Sequence, residues 1–231
     1  MKILALDSSG LVASVAVTDE DTLIAEYTLN YKKTHSQTLL PMLDQIKSAI
    51  DLDLSSIDAI AVAMGPGFFT GLRIGAATAK GLGLALDKPI IGVPTVDALA
   101  YNLAGTDCYV CPIMDARRNQ VYTGIYEFEQ TNLITKLAQC AIKIEELLDK
   151  VNLLERPVIF LGDGVPVFHD YIKENCKIAY FFAPVHSNKQ RAASVASLGM
   201  KLANFEKQVN ASAFYPEYLR LSQAERERLE K

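Results

Sequence analysis

Tryptophan is absent from this chain, and histidine and cysteine are scarce: the 231 residues include three histidines and four cysteines. His35, His169 and His186 are far apart in the sequence, so they form no local metal-binding motif. Cys108 and Cys111 form one C-x-x-C pair, but no second pair exists to complete a zinc site. We therefore predict no metal site and interpret the cysteines as buried thiols.

Long apolar runs and an excess of one charge are also lacking. No apolar stretch approaches the roughly 20 residues that a membrane-spanning helix needs. The apolar start of the chain is interrupted at Asp7 and no cleavage-like site follows, which argues against a secretory leader. The 23 basic and 27 acidic residues give a formal net charge of −4, and the basic ones are scattered. These absences predict a cytoplasmic protein without membrane contact and without a nucleic-acid groove of its own.

The most informative stretch that is present is GPGFFTGLRIG, residues 65–75. It joins an apolar run typical of a buried strand to an Ala/Gly/Leu-rich run typical of a helix, which Thr70 is expected to cap. Each glycine in a helix costs roughly 1 kcal/mol relative to alanine, so a glycine-rich face needs a reason. A phosphate or a second backbone could approach it closely, and since the stretch is neither a Walker loop nor GxGxxG, we favour packing. The small residues recur every fourth position, at Gly71, Gly75, Ala79 and Gly83.

The remaining patterns predict an α/β protein with two lobes, residues 1–105 and 106–231. In each half three strands precede alternating helices and strands, in the order β-β-β-α-β-α-β-α. The first helix is predicted over residues 36–50 with a late or kinked start at Pro41, and the last over 191–205. Because the order of elements repeats without a repeat of sequence, we predict a duplicated architecture, each lobe a mixed sheet with flanking helices.

Two such lobes with an acidic residue, Asp7, in the first hairpin resemble the actin-like ATPase superfamily, whose lobes are ribonuclease-H-like. Several stretches are more specifically similar to the TsaB (YeaZ) family of bacterial tRNA threonylcarbamoyladenosine biosynthesis proteins. The resemblance runs from the first strand to the tail, and residues 65–75 are its most specific part. The other matching stretches are ILALDSS (3–9), HSQTLLP (35–41), GVPT (92–95), DAR (115–117) and PEYLR (216–220) with Ala224 and Glu225.

The resemblance implies a non-catalytic subunit of the complex that makes threonylcarbamoyladenosine (t6A) in tRNA. Such a subunit binds and activates the catalytic paralogue TsaD together with the P-loop ATPase TsaE. It forms a homodimer when alone and reaches tRNA only through the complex. TsaD binds a metal through HxxxH on its first helix, whereas here Leu39 follows His35 at the fourth position and cannot act as a ligand. We therefore expect no catalytic residue and no metal or cofactor on the isolated chain, with ATP or ADP admitted in the complex.

The resemblance also points to the first two helices as the partner and dimer interface, because their apolar and small faces exceed what one sheet covers. The alternative is that both faces are core of their own lobe. Asp7, Ser8 and Ser9 are expected to be a vestigial phosphate contact, and the tail is expected to pack back on the first lobe. The predicted interface residues are Leu39, Leu40, Met42, Leu43, Ile46, Gly71, Leu72, Arg73, Gly75, Ala76 and Ala79.

A small-molecule kinase or ATPase of the same superfamily is the alternative function. Asp115 lies at the hairpin of the second half, where such an enzyme needs an acidic residue. Residues 162–164, Gly-Asp-Gly, are the candidate for an adenosine contact. A protease is disfavoured, because no Ser/His/Asp set with a glycine elbow is present in the sequence.

Overall fold

The structure, a computed structural model, describes residues 1–31, 34–203 and 208–220. The first part of the chain contains β1 (Lys2–Asp7), β2 (Ala13–Asp19), β3 (Thr22–Leu29), α1 (Leu39–Ala49), β4 (Ala59–Gly65), α2 (Phe69–Leu86), β5 (Ile90–Pro94) and α3 (Thr95–Tyr101). The second part contains β6 (Tyr109–Asp115), β7 (Gln120–Glu129), β8 (Asn132–Lys143), α4 (Ile144–Val151), β9 (Val158–Leu161), α5 (Val165–Asn175), β10 (Tyr180–Phe182), α6 (Ala192–Ala203) and β11 (Gln208–Val209).

The strands form two mixed sheets, in the orders β11-β5-β4-β1-β2-β3 and β10-β9-β6-β7-β8. In each sheet the three leading strands pair antiparallel, and the two strands that follow add in parallel beside the first of them. The predicted fold class, two α/β lobes with flanking helices, is confirmed. None of the helices in the described ranges is long and apolar enough to cross a membrane.

Helices α1 and α2 cover one face of the first sheet and α6 covers the other. Val195, Ala196 and Ala192 of α6 are buried against the small apolar residues of β1, β4 and β5. This position differs from the expectation that residues 106–231 form the second lobe. The mainly small side chains on both surfaces allow α6 to approach the sheet closely, so the first lobe is completed by a helix from late in the chain.

The starts of α1 and α2 show how local sequence sets the helix boundaries. A short 3₁₀ turn at His35–Gln37 precedes α1, which begins at Leu39 and ends at Ala49. Pro41 lies in the first turn of α1, where backbone N–H groups have no acceptor within the helix, so the N–H that proline lacks costs no hydrogen bond. The predicted late start is confirmed. Helix α2 begins at Phe69, one residue before the expected cap; Thr70 lies inside the first turn and caps nothing.

Residues 208–220 return to the first lobe. Strand β11 pairs antiparallel with β5, and Ala211 and Phe214 are buried in the core beneath α2. The Lys80 ammonium donates to the carbonyl oxygens of Ser212 (3.0 Å) and Phe214 (3.1 Å). The N–H of Glu217 donates to Met64 O at 2.7 Å, next to the start of α2. The charged segment from residue 225 onward lies outside the described residues.

Phe214→Ala is expected to destabilise the protein by about 3–5 kcal/mol, because the ring fills the core under α2 and its removal leaves a cavity. Thermal unfolding followed by circular dichroism measures the loss. Tyr215→Ala is the matched control: that side chain is mostly exposed and rests against Lys80, so its loss should cost under about 1 kcal/mol. Equal effects of the two variants would contradict a tail that belongs to the core.

Candidate functional site

The small-residue face of α2 packs against the β1–β2 hairpin of its own lobe. A Cβ atom at Gly71 would lie 2.1 Å from Ser8 O, and one at Gly75 would lie 2.5 Å from Ser8 Oγ. The Ser8 hydroxyl donates to Gly71 O at 2.9 Å, and the N–H of Phe68 donates to Ser9 O at 2.8 Å. The glycines therefore permit a close backbone contact within the lobe, which is the packing alternative left open by the sequence.

This contact buries the residues expected to be a vestigial phosphate contact. Asp7, Ser8 and Ser9 are at most 2% exposed. Oδ1 of Asp7 accepts hydrogen bonds from the N–H of Ser9 (2.8 Å) and its hydroxyl (2.6 Å). Burial raises the pKa of the Asp7 carboxyl, while these hydrogen bonds and the nearby His35 oppose the rise. The hairpin is thus filled by protein groups and offers no open surface to a phosphate.

His35 also contacts the β1–β2 hairpin. Its Nε2 lies 2.8 Å from Gly10 O, and Nδ1 is buried without a hydrogen-bond partner among the described residues. Leu39, at the position of the second histidine in HxxxH, is buried in the core. No cluster of three or more His, Cys, Asp or Glu side chains suited to a metal ion occurs in the ranges that the structure covers.

Most of the predicted interface residues face the core of the first lobe. The physical reason is the side-by-side packing of α1 and α2 on the first sheet, which turns their apolar and small faces inward. Partner contacts predicted for these residues would therefore have to be made by other positions on the same helices. The inward-facing residues are Leu39, Met42, Leu43, Ile46, Gly71, Leu72, Gly75, Ala76 and Ala79; Leu40 and Arg73 are exposed.

The outward face of α2 carries a second row of small residues, which the sequence reading missed. Ala77 and Gly81 are exposed and four positions apart, and a Cβ atom at Gly81 would meet nothing within 4 Å. Leu84 follows on the same face and is 62% exposed, and Leu40 of α1 is 53% exposed. We call Leu40, Ala77, Gly81 and Leu84 the outer face. Its signal is in the sequence, as the same four-residue spacing on the side of the helix opposite Gly71, Gly75 and Ala79.

Arg73 lies at the edge of this face with partners of its own. Its guanidinium carbon is 3.9 Å from the centre of the Phe69 ring, and its Nε donates to the Tyr218 hydroxyl at 3.3 Å. The rings of Phe69 and Tyr218 are 4.9 Å apart. In this arrangement Arg73 covers part of its own helix and links that helix to the tail.

A cavity of about 260 Å³ separates the start of α2 from the β6–β7 turn, with the tail along its side. Asp115 lines the cavity but binds its own turn: Oδ1 accepts from the N–H of Arg117 at 2.8 Å, and Oδ2 lies 3.5 Å from the Arg117 guanidinium. Arg220, from the tail, donates to Ala116 O. This contact ties the tail to both lobes, so the cavity has walls from three parts of the chain.

The prediction that the cysteines are buried thiols is confirmed for Cys111 alone among the four. Cys111 is buried, and burial raises the pKa of its thiol to about 12, which makes it unreactive at neutral pH. Cys108, Cys140 and Cys176 are half-buried, and all four thiols are free.

Asp163, in the 162–164 turn, is a buried acid with an incompletely satisfied carboxylate. Burial raises its pKa, Lys189 opposes the rise, and Oδ1 has no hydrogen-bond partner among the described residues. Because the folded state binds this proton more tightly than the unfolded state, stability falls as the pH rises above the usual value of 3.8.

We expect Asp163→Asn to raise Tm near pH 7 and to have little effect below the usual pKa. Asp170→Asn, at an exposed site, should leave Tm unchanged at both pH values. Equal Tm shifts in the two variants would contradict the assignment of the effect to the buried Asp163 carboxyl.

Comparisons with known proteins agree with this geometry. A solved polyphosphate/ATP-glucomannokinase from Arthrobacter sp. strain KM superposes with a TM-score of 0.51 at 10% identity, covering 88% of this chain and 99% of that one. This likeness is one of fold alone, and it agrees with a class of proteins built from two α/β lobes, each a mixed sheet with flanking helices. The model of the family TsaD: tRNA N6-adenosine threonylcarbamoyltransferase matches residues 22–228.

Closer relatives carry a narrower name. The tRNA threonylcarbamoyladenosine biosynthesis protein TsaB of Bacillus subtilis (strain 168) is 34% identical over 97% of this chain and 96% of its own length. The TsaB protein of Escherichia coli (strain K12) is 31% identical over 76% of this chain and 77% of its own length. The structure of YeaZ from Pseudomonas aeruginosa has a TM-score of 0.77 at 26% identity, covering 94% and 99%. The chain therefore belongs to the TsaD family, and within it to the TsaB (YeaZ) group that its motifs predicted.

Proposed function

We propose that this protein is a non-catalytic binding subunit in the synthesis of t6A in tRNA. In this proposal it binds the catalytic paralogue TsaD, activates it together with TsaE, and works in the cytoplasm. The observation that carries the proposal is the outer face, to which α1 contributes exposed Leu40 and α2 contributes exposed Ala77, Gly81 and Leu84. An apolar helix pair of this kind is suited to packing against the helices of another protein.

The first hairpin supports a role other than catalysis. A kinase or ATPase of this fold needs acidic residues that face an open cleft, whereas Asp7 is buried under α2 and Asp115 is bound to its own turn. We therefore assign ATP or ADP to the assembled complex and no cofactor or metal to the isolated chain. The same outer face would join two copies of the chain when TsaD is absent, because a two-fold interface uses one patch on both subunits.

Reconstitution tests the proposal. Size-exclusion chromatography with light scattering should show a complex of this protein with TsaD. With a threonylcarbamoyl donor supplied, nucleoside mass spectrometry should detect t6A in tRNA only when TsaD and TsaE are also present. The proposed contact surface consists of the outer face, which includes Leu40, together with Arg73 at its edge. Formation of t6A by this chain alone, or failure to associate with TsaD, would refute the proposal.

A further inference from the structure

We propose that the cavity between the lobes holds one unpaired nucleotide of an RNA strand. Arginines of the β6–β7 turn and of the tail would bind its phosphate, and aromatic side chains would stack on its base. The inference rests on the proposed function only in taking tRNA as the RNA that reaches the site. It concerns a surface separate from the outer face.

The charges of the cavity favour a phosphate. Arg117, Arg118 and Arg220 line it together with two acids, Asp115 and Glu217. Asp115 is paired with Arg117, whereas no carboxylate within the described residues lies at ion-pair distance from Arg118 or Arg220. Arg220 uses one nitrogen on Ala116 O and keeps its other N–H groups. Guanidinium groups of this kind bind phosphate oxygens through two parallel hydrogen bonds.

The turn that presents the arginines is held in a costly shape. Arg117, Arg118 and Asn119 have φ values of 64°, 55° and 59°, in the left-handed region. Each such residue costs about 1–2 kcal/mol when it has a Cβ atom. The N–H of Gln120 donates to Arg117 O (3.1 Å) and that of Ala116 donates to Gln120 O (3.0 Å), which closes the turn. Backbone held in this way concentrates at ligand sites, and here it directs two adjacent guanidinium groups to one cavity wall.

Aromatic side chains also contribute to the lining of this cavity. Phe68, Tyr122 and Tyr218 line the cavity, and the Tyr218 ring is fixed by its contacts with Phe69 and Arg73. Unstacked bases of single-stranded RNA bind to such rings, and one stacked base contributes about 1–3 kcal/mol. Phosphate-binding arginines beside aromatic rings are therefore a nucleotide site rather than a site for a bare anion.

A second cavity favours a strand over a free nucleotide. It adjoins the first cavity at the same turn: both are lined by Asp115, Arg117 and Arg118, and the second is lined in addition by Asn119 and Glu145. Arg117 projects between the two cavities with its side chain 78% exposed. A strand with a nucleotide in the first cavity can thus continue past the arginines into the second, whereas a free nucleotide would fill only one of them.

Fluorescence anisotropy with a short labelled single-stranded RNA tests the inference on the isolated full-length protein at about 50 mM salt. We expect weak, salt-sensitive binding, a tenfold loss in Arg118→Ala combined with Arg220→Ala, and a loss of at least about fivefold in Tyr218→Leu. Arg118 makes no side-chain hydrogen bond or ion pair with the other described residues, so Arg118→Ala alone removes none from the folded protein and should still weaken RNA binding. Lys173→Ala, an exposed cation on α5, is the control and should bind as the native protein does.

Unchanged affinity in the arginine variants, with native melting curves, would overturn the inference. Competition by AMP as strong as that by RNA of equal nucleotide concentration would overturn it in favour of a free-nucleotide site. Association with TsaD, measured separately on the arginine variants, reports on the proposed function, because neither Arg118 nor Arg220 lies on the outer face, whereas Tyr218 contacts Arg73 of the proposed contact surface.

Discussion

Replacing Gly71 by alanine is expected to lower the free energy of unfolding by about 3 kcal/mol, at the upper end of what one added methyl group costs in a packed interior. The new Cβ atom would lie 2.1 Å from the backbone oxygen of Ser8, and a backbone oxygen cannot move aside as a flexible side chain can. The shift would also disturb the hydrogen bond from the Ser8 hydroxyl to Gly71 O. In a chain of this length the loss corresponds to a Tm lower by about 6–12 °C.

Gly81→Ala on the same helix is the matched control. The added methyl group meets nothing within 4 Å, and alanine favours the helix by about 1 kcal/mol over glycine, so Tm should rise slightly. Circular dichroism melts of both variants make the comparison. If Gly71→Ala melts with or above the native protein, the close contact between α2 and the first hairpin does not exist in solution.

The sequence predicts that α2 needs a small face but not what covers that face. Spacing by four places Gly71, Gly75 and Ala79 on one side of a helix, and helix propensity shows that the glycines have a cost. Whether a partner or the chain's own hairpin lies opposite depends on the fold, since Ser8 is more than sixty residues away. The interface was therefore assigned to the inner row, although Ala77 and Gly81 repeat the same spacing outside.

The local sequence pattern likewise does not predict against which sheet α6 packs. Its apolar stripe, with Val195 and Leu198, predicts an amphipathic helix correctly but is compatible with either sheet. The choice follows from long-range contacts: the N–H of Ala192 donates to the Ser14 hydroxyl at 2.8 Å, and Arg191 forms an ion pair with Glu26. Strand order, by contrast, was predictable, because antiparallel hairpins and parallel crossovers restrict the topologies of a β-β-β-α-β-α-β unit.

The inter-lobe cavity illustrates a second limit of the sequence. The sequence marks Asp115 as a candidate acid at the hairpin of the second half, but it gives the arginines beside it no role of their own at this site. Their convergence with Arg220 requires both the closed β6–β7 turn and the return of the tail, two features with a separation of about a hundred residues. The aromatic lining adds Phe68, which directly precedes α2, and Tyr122 of β7, so no local motif identifies the site.

Gly81→Leu is expected to weaken association with TsaD by about 100-fold while leaving the fold intact, because a large side chain on the outer face prevents close approach of a partner helix. The open space around Gly81 accommodates the leucine in the free protein, so its Tm should stay at or above the native value. Isothermal titration calorimetry measures the affinity, and sedimentation velocity measures the homodimer, which should weaken in parallel. Lys173→Leu places the same side chain on an exposed helix of the other lobe and should change neither quantity. Native affinity in Gly81→Leu would show that the partner binds elsewhere, since no close helix packing could tolerate a leucine at that position.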